Sequence, residues 1–213
     1  MITGVRETDA LIRSRLHTPV SLFVIGCSTG GPAVLHQIIP ALPSGLPAPV
    51  VVVQHMPAGF VRPLARELDR VSSVTVAVAQ DHTPIRPGEV WLAPADHHIA
   101  VRRHSNTVLE TTLSVGQPVH GCMPAIDPLA RSAADVVGSH TVLIVLTGMG
   151  RDGQAGANQI RCAGGLVVAQ DAGSSQVYGM PRGVIEENLA NAILPPESIA
   201  GFMSGVAERA SYA

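Results

Sequence analysis

The sequence predicts a single α/β domain: a doubly wound, mostly parallel sheet with helices on both faces and one β-hairpin. Three observations carry that expectation. Short, wholly apolar runs such as Val50-Val51-Val52-Val53 and Val142-Leu143-Ile144-Val145-Leu146 read as strands covered on both faces, as in the middle of a parallel sheet. These runs alternate with segments of helical apolar spacing, joined by glycine- and proline-rich turns. The length of 213 residues, 46 % of them hydrophobic and 14 % charged, suits one core-bearing domain and falls short of two average ones.

The elements follow in order. Residues 1–18 are polar and aperiodic and are expected to be a tail or linker remnant, leaving residues 19–213 as the domain. Ser21 to Gly26 reads as a buried strand, Ser28-Thr29-Gly30-Gly31-Pro32 as a turn, and Ala33 to Ile39 as a helix. Ala48 to Gln54 is a second strand closing at His55-Met56-Pro57, followed by a helix over Gly59 to Leu68 and a strand over Val74 to Val78. Glu89 to Ala93 and His98 to Arg103 flank Pro94-Ala95-Asp96-His97 and are expected to pair as the hairpin. Pro124 to Val137 reads as a helix. The strand Thr141 to Thr147 runs into the glycine-studded Gly148-Met149-Gly150-Arg151-Asp152-Gly153, and Ala157 to Ala163 is helical. Leu166 to Ala169 and Ala192 to Leu194 are expected strands, and Glu197 to Arg209 the last helix.

Composition excludes several classes. Mean hydropathy is +0.29, yet no apolar run approaches the roughly 18 to 20 residues of a membrane span, so no direct membrane insertion is expected. Met1 to Leu16 has no apolar h-region, and three cysteines at non-metal spacing suit a reducing cytoplasm. A net charge of −2 without a basic run argues against nucleic acid. All basic side chains are Arg, which removes lysine catalysis.

In open α/β sheets chemistry collects beyond the carboxyl ends of the strands. Three strand-end turns there each carry a reactive side chain: Ser28, His55 and Asp152. Together they supply a nucleophile, a general base and a carboxylate to orient that base. Taken singly, each has a plainer role available: Ser28 as a helix cap, His55 as a strand-end hydrogen bonder, Asp152 as an Asx-turn residue. Gly26-Cys27-Ser28-Thr29-Gly30 fits the G-x-S-x-G elbow, but the order Ser, His, Asp and the lack of histidine after His140 disfavour an ordinary α/β-hydrolase. The glycine spacing matches neither a P-loop nor a dinucleotide fingerprint. Asp96-His97-His98 with His104 suggests a metal at first sight, but neighbouring strand residues face opposite ways, so loop roles and no metal are expected. Cys27 is expected to be a buried small hydrophobe pointing away from Ser28. Arg151 and Arg182 are candidates for contacts to acidic surfaces of a protein substrate.

The blocks Val24 to Pro32, Val53 to Pro57 and Leu146 to Gly153 resemble those of the chemotaxis receptor methylesterases, the CheB-type protein-glutamate methylesterases and glutaminases. The resemblance continues through Ala93 to His98, Pro124 to Leu129, Ala163 to Gly165, Ala169 to Asp171 and Tyr178 to Pro181, covering about Val20 to Met203 in order. It implies a Ser28–His55–Asp152 triad that attacks glutamyl γ-methyl esters, and glutamines in many members, through an acyl-enzyme and without cofactor. It implies methylated chemoreceptor cytoplasmic domains as substrate, with a receiver domain or chemotaxis kinase as a partner in trans. Backbone groups at Thr29, Met149 and Gly150 are the candidate oxyanion donors. Members typically carry a phosphorylatable receiver domain ahead of the catalytic one. The short stretch before Ser21 is therefore expected to mark either an excised catalytic domain or a receiver-free homologue. Two other readings share the residues: the same chemistry on a different ester or amide, and a non-catalytic docking module of the same fold.

Overall fold

A computed structural model of the chain describes residues 19–105 and 107–208; the expected tail over 1–18 and the end of the expected last helix lie outside them. Seven strands form one sheet: β1 (Leu22–Cys27), β2 (Val50–Gln54), β3 (Thr75–Val78), β5 (Glu89–Leu92), β8 (Thr141–Val145), β9 (Leu166–Gln170) and β10 (Ala192–Leu194). They lie in the order β10-β9-β8-β1-β2-β5-β3, and every neighbouring pair is parallel. β1, β2, β8 and β9 are buried along their whole length. Both faces are covered, which is why these strands read as unbroken apolar runs.

Alternation along each strand sorts side chains into two cores. Phe23, Ile25 and Cys27 of β1 face α1 (Gly31–Ile38), α2 (Ala58–Val71) and α6 (Pro196–Glu208). Leu22 and Val24 face α3 (Ile126–Val136), α4 (Gln154–Cys162) and α5 (Met180–Glu186). In β2, Val50 and Val52 join the first core, Val51 and Val53 the second. The chain winds outward from β1 through β2 and returns to β8 on its other side, so the switch point of the sheet lies between β1 and β8.

The expected hairpin needs correction. β5 does not pair with β6 (His98–Arg103): one edge of β5 bonds β2 and the other bonds β3, so no edge remains for a third partner. β6 instead pairs antiparallel with β7 (Leu109–Ser114), and β4 (Thr83–Ile85) completes a separate three-stranded sheet in the order β4-β7-β6. A hairpin is present, one element later than expected. β7 escaped notice because its sequence LETTLS is mostly polar, and β4 because Pro84 reads as a strand breaker; it sits on an edge strand, where proline is tolerated. The short helix α5, between Gly179 and Asn188, has no counterpart among the expected elements. Elsewhere observed and expected elements differ by a few residues at their ends.

β7 places Glu110 opposite Arg102 of β6, with its carboxylate 3 % exposed. Oε1 accepts from Arg102 Nε and lies 3.3 Å from His82 Nδ1; Oε2 is 2.6 Å from His104 Nδ1. The Arg102 hydrogen bond, followed by that of His104, holds the Glu110 carboxyl at about 2 instead of its ordinary 4.5. A folded-state value below the unfolded one contributes stability that is present above pH 4.5 and lost as pH falls towards 2. Glu110→Gln should therefore flatten the loss of thermal stability across that window, measured as the melting temperature against pH.

β1 also approaches α3 closely. A Cβ built on Gly26 would lie 2.5 Å from Ile126 Cδ1 and 2.8 Å from its Cγ2, at a side chain with no solvent exposure. Gly26→Ala should lower the stability measured by chemical denaturation by about 1–3 kcal/mol, the usual cost of overpacking a full core.

Candidate active site

The register of the sheet brings Ser28 and His55 together. Cys27 and Gln54 are partners across β1 and β2, so the next residue on each chain leaves the sheet beside the other, at a strand spacing of about 4.8 Å. His55 N–H donates to Cys27 O at 3.0 Å, and Ser28 N–H to Thr147 O, beyond β8, at 3.0 Å. By the alternation of β1 and β2, Ser28 and His55 continue the series that faces α3, whereas Cys27 and Gln54 face α1. Ser28 does not use its side chain as a helix cap. Gly30, at φ 85°, is the N-cap of α1, and Ser28 contributes only its carbonyl, which accepts from Gly31 N at 2.8 Å.

His55 is nearly buried, and its Nε2 lies 2.8 Å from Asp152 Oδ2. An N–H on Nε2 leaves Nδ1 as the unprotonated nitrogen, the one able to take a proton. Asp152 comes from the Gly148–Gly153 turn after β8 and is 2 % exposed. Its carboxylate occupies the N-terminus of α3: Oδ2 accepts from Ile126 N at 2.7 Å, Oδ1 from Asp127 N at 3.0 Å and from Gly153 N at 3.0 Å. Free N–H groups at a helix start satisfy a buried carboxylate well. Asp152 is thus more than an Asx-turn residue. Its lone pairs are filled by main-chain donors and the imidazole.

Five further residues shape this arrangement. Gln54 Nε2 donates to Ser28 O and His55 O, both at 2.9 Å, and its Oε1 accepts from Cys27 Sγ at 3.1 Å. Gly31 leaves room for that amide, since a side chain there would collide with Gln54 Oε1. Gln170, fully buried, accepts from Thr147 N at 2.8 Å and donates to Ser174 O at 3.0 Å. Thr147 Oγ1 in turn donates to Thr29 O at 2.9 Å. Cys122 Sγ lies 3.6 Å from His55 Nδ1; burial, with the charge of Asp152 adding, pushes its thiol up, so it meets the imidazole protonated. The two glutamines had a sequence signal: each ends an otherwise apolar strand at the same sheet edge, where a buried amide must find partners. Cys122 had none, lying in a loop without periodicity.

The remaining expected residues fall as follows. Thr29, Met149 and Gly150 are exposed, and among the described residues their main-chain N–H groups donate no main-chain hydrogen bond. Met149 is 76 % exposed, the largest apolar side chain on this loop. Cys27 is fully buried, as expected. Asp96 is exposed in a turn at φ 61°, His97 Nδ1 lies 3.3 Å from Ala95 O, and His98 Nε2 lies 3.0 Å from Gln117 O. Arg151 and Arg182 are both exposed, with Arg182 Nε 3.8 Å from Glu186 Oε1. His120, Asp127 and Asp152 place ligand-type atoms within 4.8 Å of one another. The oxygens of both carboxylates already face N–H donors, whose positive ends would oppose a cation.

Comparison with known proteins shows the family of the chain. The family model described as CheB methylesterase matches residues 23–203. A protein-glutamate methylesterase/protein-glutamine glutaminase of Symbiobacterium thermophilum is 48 % identical over 182 residues, 85 % of this chain and 49 % of that protein. One of the same name from Thermotoga maritima is 43 % identical over 178 residues, 84 % of this chain and 52 % of that protein. The chain thus spans about half the length of the curated relatives it matches. The crystal structure of the Thermotoga maritima CheB methylesterase catalytic domain superposes with a TM-score of 0.84 at 42 % identity, covering 86 % of this chain and 97 % of that one. The chain belongs to the CheB methylesterase family.

Proposed function

We propose that this chain is a serine hydrolase that removes methyl groups from glutamyl γ-methyl esters of chemoreceptor cytoplasmic domains, and deamidates glutamines at equivalent positions. The observation that carries the reading is the His55–Asp152 hydrogen bond of 2.8 Å, on strand ends that bring Ser28 alongside. The names of the relatives, protein-glutamate methylesterase/protein-glutamine glutaminase, supply the substrate class. Among the described residues no helix is long and apolar enough to cross a membrane, which fits action on the cytoplasmic part of a receptor. A receiver domain or chemotaxis kinase is the partner proposed in trans.

The steps follow from the atoms present. His55 Nδ1 takes the Ser28 hydroxyl proton as Oγ bonds to the γ-carbonyl carbon. The resulting oxyanion is held by free N–H groups at Thr29, Met149 and Gly150. The carbon–methoxy bond then breaks, the imidazolium returns its proton to the leaving oxygen, and methanol departs. Water, deprotonated by the same nitrogen, releases glutamate from the Ser28 ester; with glutamine the first product is ammonia. Asp152 fixes the tautomer throughout, because its oxygens accept the hydrogen bond from Nε2–H and carry no proton to donate. Cys122 must yield Nδ1 before Ser28 can use it, since catalytic hydrogen bonds often tighten only with substrate bound.

Methanol release from methylated receptor membranes tests this reading. Ser28→Ala and His55→Ala should each lower turnover by about 10,000-fold or more, and Asp152→Asn by less, with the fold intact by circular dichroism. Turnover near wild type in Ser28→Ala would overturn the mechanism. No methanol from a protein whose Ser28 is reactive would move the substrate to another ester or amide.

A further inference from the structure

We infer that Asp127 is a positioning residue for the catalytic carboxylate, acting through an exchange of caps between α3 and α4; the inference rests on the triad proposed above. Asp127 is 3 % exposed, and the mechanism so far gives it nothing to do. It stands in the first turn of α3, yet its side chain caps the other helix: Oδ1 accepts from Gly153 N at 2.9 Å and Gly156 N at 2.7 Å, the first turn of α4. Asp152, two residues ahead of α4, caps α3 through Ile126 N and Asp127 N. Asp127 of α3 thus serves the start of α4, Asp152 just ahead of α4 serves the start of α3, and the Gly153 N–H is shared between them.

The exchange fixes Asp152 from two sides. The main chain of Asp127 donates to Asp152 Oδ1, while its side chain draws Gly153 N–H, bonded to the same Oδ1, towards α3. Close contact of the helices is a condition. A Cβ on Gly156 would lie 2.5 Å from Ala130 Cβ and 3.2 Å from Asp127 Oδ1, so the sequence keeps glycine where the carboxylate must enter. Asp127 Oδ2 is held at 3.0 Å by Nε2 of His120, part of the tight turn Val119–Cys122. The next turn residue but one, Cys122, reaches His55. The catalytic pair is therefore gripped by one turn at both members: through Asp127 at the carboxylate, and directly at the imidazole.

Loss of the Asp127 carboxylate would leave the buried Gly156 N–H without its acceptor and take from the Gly153 N–H one of its two. Gly153 N–H would then fall wholly to Asp152 and compete with the pull of α3. The donors need an acceptor oxygen and no charge, so an amide of the same shape should serve.

Three variants in the full chain test this: Asp127→Ala, Asp127→Asn and His120→Ala. Two readouts are followed, methanol-release kinetics and the low-field proton resonance of the His55–Asp152 hydrogen bond. Asp127→Ala is expected to lower kcat by about 10- to 100-fold with KM little changed, the scale seen when a group that holds a catalytic ligand is removed, and to shift or broaden the resonance. Asp127→Asn should recover most of both. His120→Ala, made at a half-exposed side chain, should give a smaller kcat loss and a smaller shift. An unchanged kcat and resonance in Asp127→Ala would overturn the inference, as would Asp127→Asn behaving like Asp127→Ala, which would make the charge the requirement. If Asp127→Ala does not fold, His120→Ala decides: an unmoved resonance with unmoved kcat overturns the positioning role. The resonance needs no substrate, so a wild-type protein that shows it while releasing no methanol would refute the proposed substrate and leave the positioning role measurable.

Discussion

The seat of the Asp152 carboxylate on the N-terminus of α3 is the interaction on which the site depends. A carboxylate buried to 2 % exposure would carry a heavy desolvation cost unless its lone pairs were filled. Main-chain donors from Ile126, Asp127 and Gly153 fill them, leaving one direction, at Oδ2, for His55. Much else is set by that geometry. α3 must begin beside the switch point of the sheet, Gly26 must lack a side chain so that Ile126 can approach, and Gly156 must lack one so that α4 can close on α3. Helix start, glycine positions and the orientation of Asp152 and His55 are thus parts of one constraint.

The second determinant is the parallel register. Parallel neighbours leave the sheet at the same edge, and alternation gives residues one beyond Cys27 and Gln54 the same face. Ser28 and His55 are therefore brought together by backbone geometry before any side-chain hydrogen bond forms. Gln54 then fixes the main chain behind both residues, and Gln170 and Thr147 fix the loops on the β8 side. Such buried amides hold the strand ends without adding charge to them.

Much of this was legible in the sequence because the strands are wholly buried and announce themselves as apolar runs. The strand ends then place Ser28, His55 and Asp152 at one edge. The small sheet was less legible. β7 carries Glu110, Thr111 and Thr112, and its burial depends on hydrogen bonds to Arg102, His104 and the Gln80 carbonyl, which no local pattern encodes. The false hairpin arose from reading Glu89 to Ala93 and His98 to Arg103 as partners when both edges of the former were already taken. Asp127 was visible as a helix-start residue, but a cap given to a different helix is a tertiary fact. Cys122 belongs to the same class, since only the folded turn carries it to His55.

Activation of the Ser28 hydroxyl by His55 is measured most directly by phosphonylation. Treatment of the folded protein with a fluorophosphonate should add one phosphonyl group, mapped by peptide mass spectrometry to the segment containing Ser28, and His55→Ala should abolish the addition. An adduct on another residue, or equal labelling without His55, would contradict the account.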